Sequence, residues 1–194
     1  MSTAQRLFFG LPLTPLARQE LAKLQAALRA RAPVRAHLRW LGIDNLHVTL
    51  KFLGEVDSSR LPEIEALLER AVAKVGPIPG SVESVTAFPS THAARVTVAR
   101  LADPSGWLER LSARLESLAA EHGFARDARS FVPHITLARL STPTSLHAWL
   151  DAFATPATPL LFEQVCLYRS EPGPAGNRYK VVSARSLAPS GAGH

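Results

Sequence analysis

Residues 46–54 read LHVTLKFLG, and residues 132–140 read VPHITLARL. Each stretch carries His-x-Thr-Leu inside an apolar run, with His47 and His134 lying 87 positions apart. On a strand, alternate side chains share a face. His47 and Thr49 therefore point one way, while Val48, Leu50 and Phe52 point the other. His134 and Thr136 share a face in the same manner, with Ile135 and Leu137 opposite. Each run is thus expected to be a strand with one polar and one buried face. Two such strands in matched contexts imply a duplicated unit whose halves each bring one histidine to one place.

The surrounding chain fits that duplication. RLFFGL (6–11) reads as a first strand, and PLARQELAKLQAALRARA (15–32) as a helix with Leu16, Leu21, Leu24 and Leu28 on its apolar face. Thr14 before Pro15 supplies an N-cap with proline at the first helical position. A second helix is predicted over 58–76, ended by Gly76 and Pro77, and a third over 104–123. GSVESVTAF and ARVTVARL read as a hairpin, and TSLHAWLDAF holds a short helix. Two late strands, LLFEQVCLYRSE and RYKVVSARSL, are joined by PGPAGN. Strands outnumber helices and pair as hairpins, which favours α+β with antiparallel sheets over a doubly wound parallel sheet. The last residues, 188–194, are expected to be a disordered tail.

The chain has 194 residues, enough for one domain or two small lobes sharing a core. Its 46% hydrophobic and 20% charged residues are those of a globular protein. No apolar run approaches the ~18–20 residues needed to span a bilayer, and the start lacks the features of a signal peptide. The expected location is cytoplasmic. The single cysteine, Cys166, allows no internal disulfide and no cysteine-based zinc site, and alternation places it in a core. The net charge is +6, carried by 18 Arg against 4 Lys. That excess of guanidinium is compatible with phosphate binding, since its planar fork makes paired hydrogen bonds to phosphate oxygens. There is no glycine-rich phosphate loop. HExxH and HxH are also missing, and only His37 lies near either motif, so no metal is expected. His92, His122, His147 and His194 read as ordinary positions.

Two imidazoles and two hydroxyls in one cleft suit phosphoryl chemistry without a metal or other cofactor. With an ordinary pKa of roughly 6.5, histidine supplies both a base and an acid near neutrality. Threonine hydroxyls can hold the non-bridging phosphate oxygens. The residues themselves do not say which histidine is the acid. A cleft that only binds a nucleotide or an RNA end is the alternative reading.

The sequence resembles the two-histidine phosphoesterases, specifically the bacterial and archaeal RNA 2′,3′-cyclic phosphodiesterases, also called 2′-5′ RNA ligases. RLFFGLPL, RWLGIDNLHVTLKFLGEVD, VESVTAFPS, FVPHITLARL and LYRSEPGPAGNRYKVV carry the resemblance, in that order. It implies a single bilobal α+β domain over residues 1–187, with two pseudo-symmetric antiparallel sheet lobes and outer helices around a central cleft. It implies hydrolysis of a terminal 2′,3′-cyclic phosphate, on RNA 3′ ends or nucleosides, to a 2′-phosphomonoester. Reverse 2′-5′ ligation would use the same groups. By the same resemblance His47 donates the proton, His134 accepts one, and Thr49 and Thr136 hold the phosphate. Arg139 matches a family position, but strict alternation turns it away from His134 unless a bulge intervenes. Trp40, Phe88 and Tyr168 are candidates to stack on a base. A monomer is expected.

Overall fold

The computed structural model describes residues 4–173 and 176–188. Most of the predicted tail falls outside them. In chain order the elements are β1 (Ala4–Pro12), α1 (Pro15–Ala30), β2 (Leu38–Trp40), β3 (His47–Asp57), α2 (Leu61–Val72), β4 (Ile78–Phe88), β5 (Ala94–Ala102), α3 (Trp107–Glu121), β6 (His134–Thr144), α4 (His147–Asp151), β7 (Thr158–Phe162), β8 (Gln164–Glu171) and β9 (Arg178–Ser186). Among the described residues no helix is long and apolar enough to cross a membrane.

The strands form one antiparallel sheet in the order β7-β4-β5-β6-β3-β1-β8-β9, with β2 added on β6. Two four-stranded halves thus meet where β6 lies beside β3. Their register pair is Val48 opposite Ile135. These residues come directly after His47 and His134, so the pseudo-twofold axis passes between them. Continuing that antiparallel register sets His47 across from Thr136 and Thr49 across from His134. The halves are also intertwined, since β8 and β9, last in the chain, complete the half that β1 begins.

One predicted strand is two. LLFEQVCLYRSE breaks at Glu163 into β7 and β8, which belong to different halves. In a flat sheet, six strand spacings of ~4.8 Å would hold them ~29 Å apart. The single residue between them spans at most ~7 Å. The sheet must therefore curl, and this brings the motif strands to the middle of a trough.

Helices α1, α2 and α3 cover the other face of the sheet. Ala17, Leu21, Leu24 and Leu28 are the buried stripe of α1, while Leu16, expected on it, is exposed. A spacing of four, three and four starts at Ala17, and Leu16 lies about 100° away. The Thr14 hydroxyl accepts the Ala17 N–H at 3.3 Å, as the capping pattern predicts. Leu7, Phe9 and Leu11 of β1 join this main core, whereas Phe8 turns to the trough and packs with Cys166 and Tyr168.

Candidate active site

A cavity of about 220 Å³ opens in the trough, lined among others by His47, Thr49, His134, Thr136 and Arg139. The four motif residues and the arginine are therefore brought together. Phe8, Asn45, Phe52 and Tyr179 also line it.

Phe52 and Arg139 reach the cavity because both motif strands break alternation at the same point. Thr49 pairs with Gly10 but Lys51 pairs with Phe9, which leaves Leu50 extra on β3. Thr136 pairs with Val98 but Ala138 pairs with Thr97, which leaves Leu137 extra on β6. Each extra residue is a β-bulge and reverses the facing of the strand residues beyond it. Arg139 thereby rejoins the face of His134. Phe52, predicted to point into the core, points to the cavity instead and is 51% exposed. Lys51, by alternation on the polar face, is fully buried. It donates to the Ala125 carbonyl at 2.7 Å and pairs with Glu116 at 2.8 Å and Asp127 at 3.3 Å.

A bulge frees a buried carbonyl, and such a group needs a donor. The Leu137 carbonyl accepts from Gln25 Nε2 of α1 at 3.0 Å and from the Leu41 N–H at 2.9 Å. The Leu50 carbonyl accepts from Ser112 Oγ of α3 at 2.8 Å. Gln25 and Ser112 are thus buried polar residues on apolar helix faces for one shared reason.

Both imidazoles are held by the same device. His47 Nδ1 lies 2.8 Å from the Asn45 carbonyl, and His134 Nδ1 lies 2.7 Å from the Val132 carbonyl. A carbonyl only accepts, so each Nδ1 carries the proton and each neutral ring keeps its Nε2 lone pair. Thr49 Oγ1 is 3.1 Å from His47 Nε2 and donates to it when the ring is neutral. Burial is the main cause that pushes the His47 pKa down to about 4; the Asn45 bond opposes it, and the charges of Arg139 and His134 add to it. Burial also lowers His134, opposed by the Val132 bond and aided by Arg139. Both shifts favour the neutral ring.

The aromatic candidates divide. Tyr168 is 7% exposed and stacks on Phe8 at 5.0 Å, so it is a floor under His47 rather than a platform for a base. Its alternation on β8 faces the trough, but Phe8 covers it. Phe88 stands edge-on to His134 at 5.1 Å and lines neither this cavity nor its neighbour. Trp40 lines the adjoining cavity, with the Arg29 guanidinium 5.2 Å from its ring. Tyr179, not singled out from sequence, stands edge-on to His47 at 4.8 Å. Phe8, which packs against it, was not singled out either, although the doublet Phe8-Phe9 on one strand puts one ring on each face. Cys166 is buried, as expected.

Two facing strands that each give an imidazole and a hydroxyl to one cleft define the two-histidine phosphoesterase arrangement. A profile of the 2′-5′ RNA ligase superfamily matches residues 12–174, and the chain belongs to that family. It is 32% identical over 196 residues to an RNA 2′,3′-cyclic phosphodiesterase of Thermus thermophilus, covering 94% of this chain and 90% of that one. A protein of the same name from Escherichia coli is 33% identical over 142 residues, 72% of this chain and 74% of the relative. Among solved structures, Escherichia coli LigT complexed with 3′-AMP superposes with a TM-score of 0.74 at 27% identity, over 95% of this chain and 98% of that one.

Proposed function

We propose that this protein hydrolyses the 2′,3′-cyclic phosphate at an RNA 3′ end, or on a nucleoside, to a 2′-phosphomonoester, using His134 as base and His47 as acid. The reading rests on one observation above all: two imidazoles with anchored Nδ1–H groups present Nε2 to a single cavity that Arg139 also enters. The names of the relatives support the activity, and a nucleotide phosphate in LigT supports the ligand class.

In this scheme His134 Nε2 takes a proton from water as the water oxygen bonds to phosphorus. The bond from phosphorus to O3′ breaks, and His47 Nε2–H gives its proton to the departing oxygen. Thr49, Thr136 and Arg139 hold the non-bridging oxygens as charge gathers there. The acid must first be charged, although burial holds His47 low. The substrate anion offsets the positive field of Arg139 and raises the pKa of a neighbouring imidazole, so a proton enters with the phosphate. Ligation to a 2′-5′ linkage would use the same groups: the 5′-hydroxyl of a second RNA end, in place of water, gives its proton to His134 and bonds to the phosphorus of the cyclic phosphate as the bond to O3′ breaks and His47 protonates O3′.

The test is turnover of a nucleoside 2′,3′-cyclic phosphate in excess EDTA, with the product isomer read by phosphorus NMR. A 2′-phosphate formed at undiminished rate is expected, and lost in His47→Ala and His134→Ala. A 3′-phosphate, or full activity in either variant, would overturn the scheme.

A further inference from the structure

Beside the catalytic cleft lies a larger cavity of about 560 Å³, and the two share Phe8, Leu41, Asn45, Phe52, Arg139 and Tyr179 as a common wall. The smaller space falls short of the ~300 Å³ at which ligand pockets usually begin, so a nucleotide there must extend into the larger one. The larger cavity is lined by Arg6, Arg39, Arg139 and Arg178, and among the described residues no carboxylate lines it.

None of these four arginines forms an ion pair among the described residues. For two of them the placement is costly without an anion. Arg39 on β2 is the register partner of Arg139 on β6, and like charges directly opposite on antiparallel strands destabilise. Arg178 stands opposite Glu171, but that carboxylate is taken by Arg169 at 2.8 Å and Lys180 at 2.8 Å. Arg6 on β1 stands between Ser170 on β8 and Glu55 on β3, with which it forms no ion pair. All four guanidiniums are exposed and free to turn toward a ligand. Arg139 is common to both cavities, so positive charge runs without interruption from the reacting phosphate outward.

The geometry points to a second phosphate subsite, made by Arg6, Arg39 and Arg178, that takes the phosphodiester preceding the terminal nucleotide of an RNA chain. The inference rests on the cyclic phosphodiesterase reading and goes beyond it: the enzyme prefers a polynucleotide end to a free nucleoside cyclic phosphate. Planar guanidiniums suit this task because each offers paired donors to phosphate oxygens.

The test compares kcat/KM for uridine 2′,3′-cyclic phosphate with that for a uridine trinucleotide ending in the same group, at about 50 mM and about 200 mM salt. The trinucleotide is expected to be favoured at least ~10-fold at the lower salt, the scale of one or two charge-assisted hydrogen bonds. In the Arg39→Ala/Arg178→Ala variant that ratio falls to about one, and the salt dependence of the trinucleotide flattens by ~0.7 per lost phosphate contact. A wild-type ratio near one, or a ratio the variant keeps, overturns the subsite. A parallel arm measures anisotropy of a labelled trinucleotide 2′-phosphate, with a ~10-fold weaker Kd expected in the variant. If the wild type turns over neither substrate, the phosphodiesterase reading fails, and this binding arm still decides the subsite: equal affinity of wild type and variant sinks it.

Discussion

Phe52 and Arg139 occupy the same place in the two halves, five residues beyond His47 and His134, and a bulge at the same step turns both into the cleft. The pseudo-symmetry of the scaffold is thus close, while its chemistry is not: one half offers an aromatic face and the other a cation. Arg139 lowers the pKa of both histidines, so it biases the pair toward the neutral state until an anion arrives.

That bias predicts the pH profile. In the proposed scheme the pair must hold one proton, and kcat/KM reports the free enzyme. Both imidazoles titrate below the ordinary ~6.5, His47 at about 4. The optimum of kcat/KM is therefore expected below pH 6.5, with activity falling as pH rises toward 8. In Arg139→Gln a positive charge is gone, imidazolium is favoured, and the optimum moves up while KM rises. An optimum above pH 7.5 in the wild type would contradict the assignment.

The bulges depend on their helix-borne donors. Gln25→Leu leaves the Leu137 carbonyl with the Leu41 N–H alone, and Ser112→Ala strips the Leu50 carbonyl of its side-chain donor. A buried acceptor left short costs ~1–3 kcal/mol. Each variant should lose stability on that scale in urea. Gln25→Leu should also raise KM, because its bulge orients Arg139, whereas Ser112→Ala should act on Phe52. Wild-type stability in both would mean the bulges hold themselves.

The reach of strand alternation decides how much of the site is legible in the sequence. His47, Thr49, His134 and Thr136 precede the bulges, so period-two reading places them correctly. Phe52 and Lys51 come after Leu50 and are placed wrongly. No residue at 50 or 137 announces a bulge: both are leucine, and the cause lies in the distant donors Gln25 and Ser112. The split at Glu163 is hidden for a similar reason, since β7 and β8 run on as one strand-like stretch of sequence and part only in their partners. Element types need only local periodicity; the face of Arg139 needs contacts 112 residues apart in sequence.

Burial of neutral His47 links stability to pH. Its folded pKa lies below the unfolded value, so between about pH 6.5 and about pH 4 the unfolded chain binds the extra proton. Stability is fully present above that window and declines as pH falls through it. His134 adds in the same direction. Melting at pH 7.5 and pH 5 should show a smaller drop in Tm for His47→Asn than for the wild type, because asparagine cannot take the proton. Equal drops would place the acid sensitivity elsewhere.

Lys51 ties β3 to the connection that leads into β6. Its ammonium meets Glu116, Asp127 and the Ala125 carbonyl with no solvent exposure. Lys51→Met keeps the apolar stem and removes the charge. Since Asp127 is half exposed, its carboxylate can rehydrate, so the loss should stay below the ~3–5 kcal/mol of a fully buried broken pair. About 2 kcal/mol in urea is expected. A neutral or stabilising outcome would show that desolvation of the lysine cancels its contacts.

Gly10 is where β1 leaves no room beside the His47 strand. A Cβ there would stand 2.8 Å from the Val48 carbonyl oxygen, 3.4 Å from the Tyr168 ring and 3.5 Å from His47 Cδ2. The first contact is with backbone and cannot be relieved by rotating a side chain. The last reaches the ring proposed as the proton donor. Gly10→Ala must therefore push β3 away from β1 beside the bulge, or displace His47 across the cleft. A shift of ~1 Å in a reacting group can lower turnover ~100-fold. The variant should fold, since the main core lies on the other face, yet lose kcat far more than it gains in KM. Unaltered kcat would mean that the strand yields without moving the imidazole, and that His47 is held by the Asn45 carbonyl and the rings of Phe8 and Tyr179 rather than by the strand beneath it.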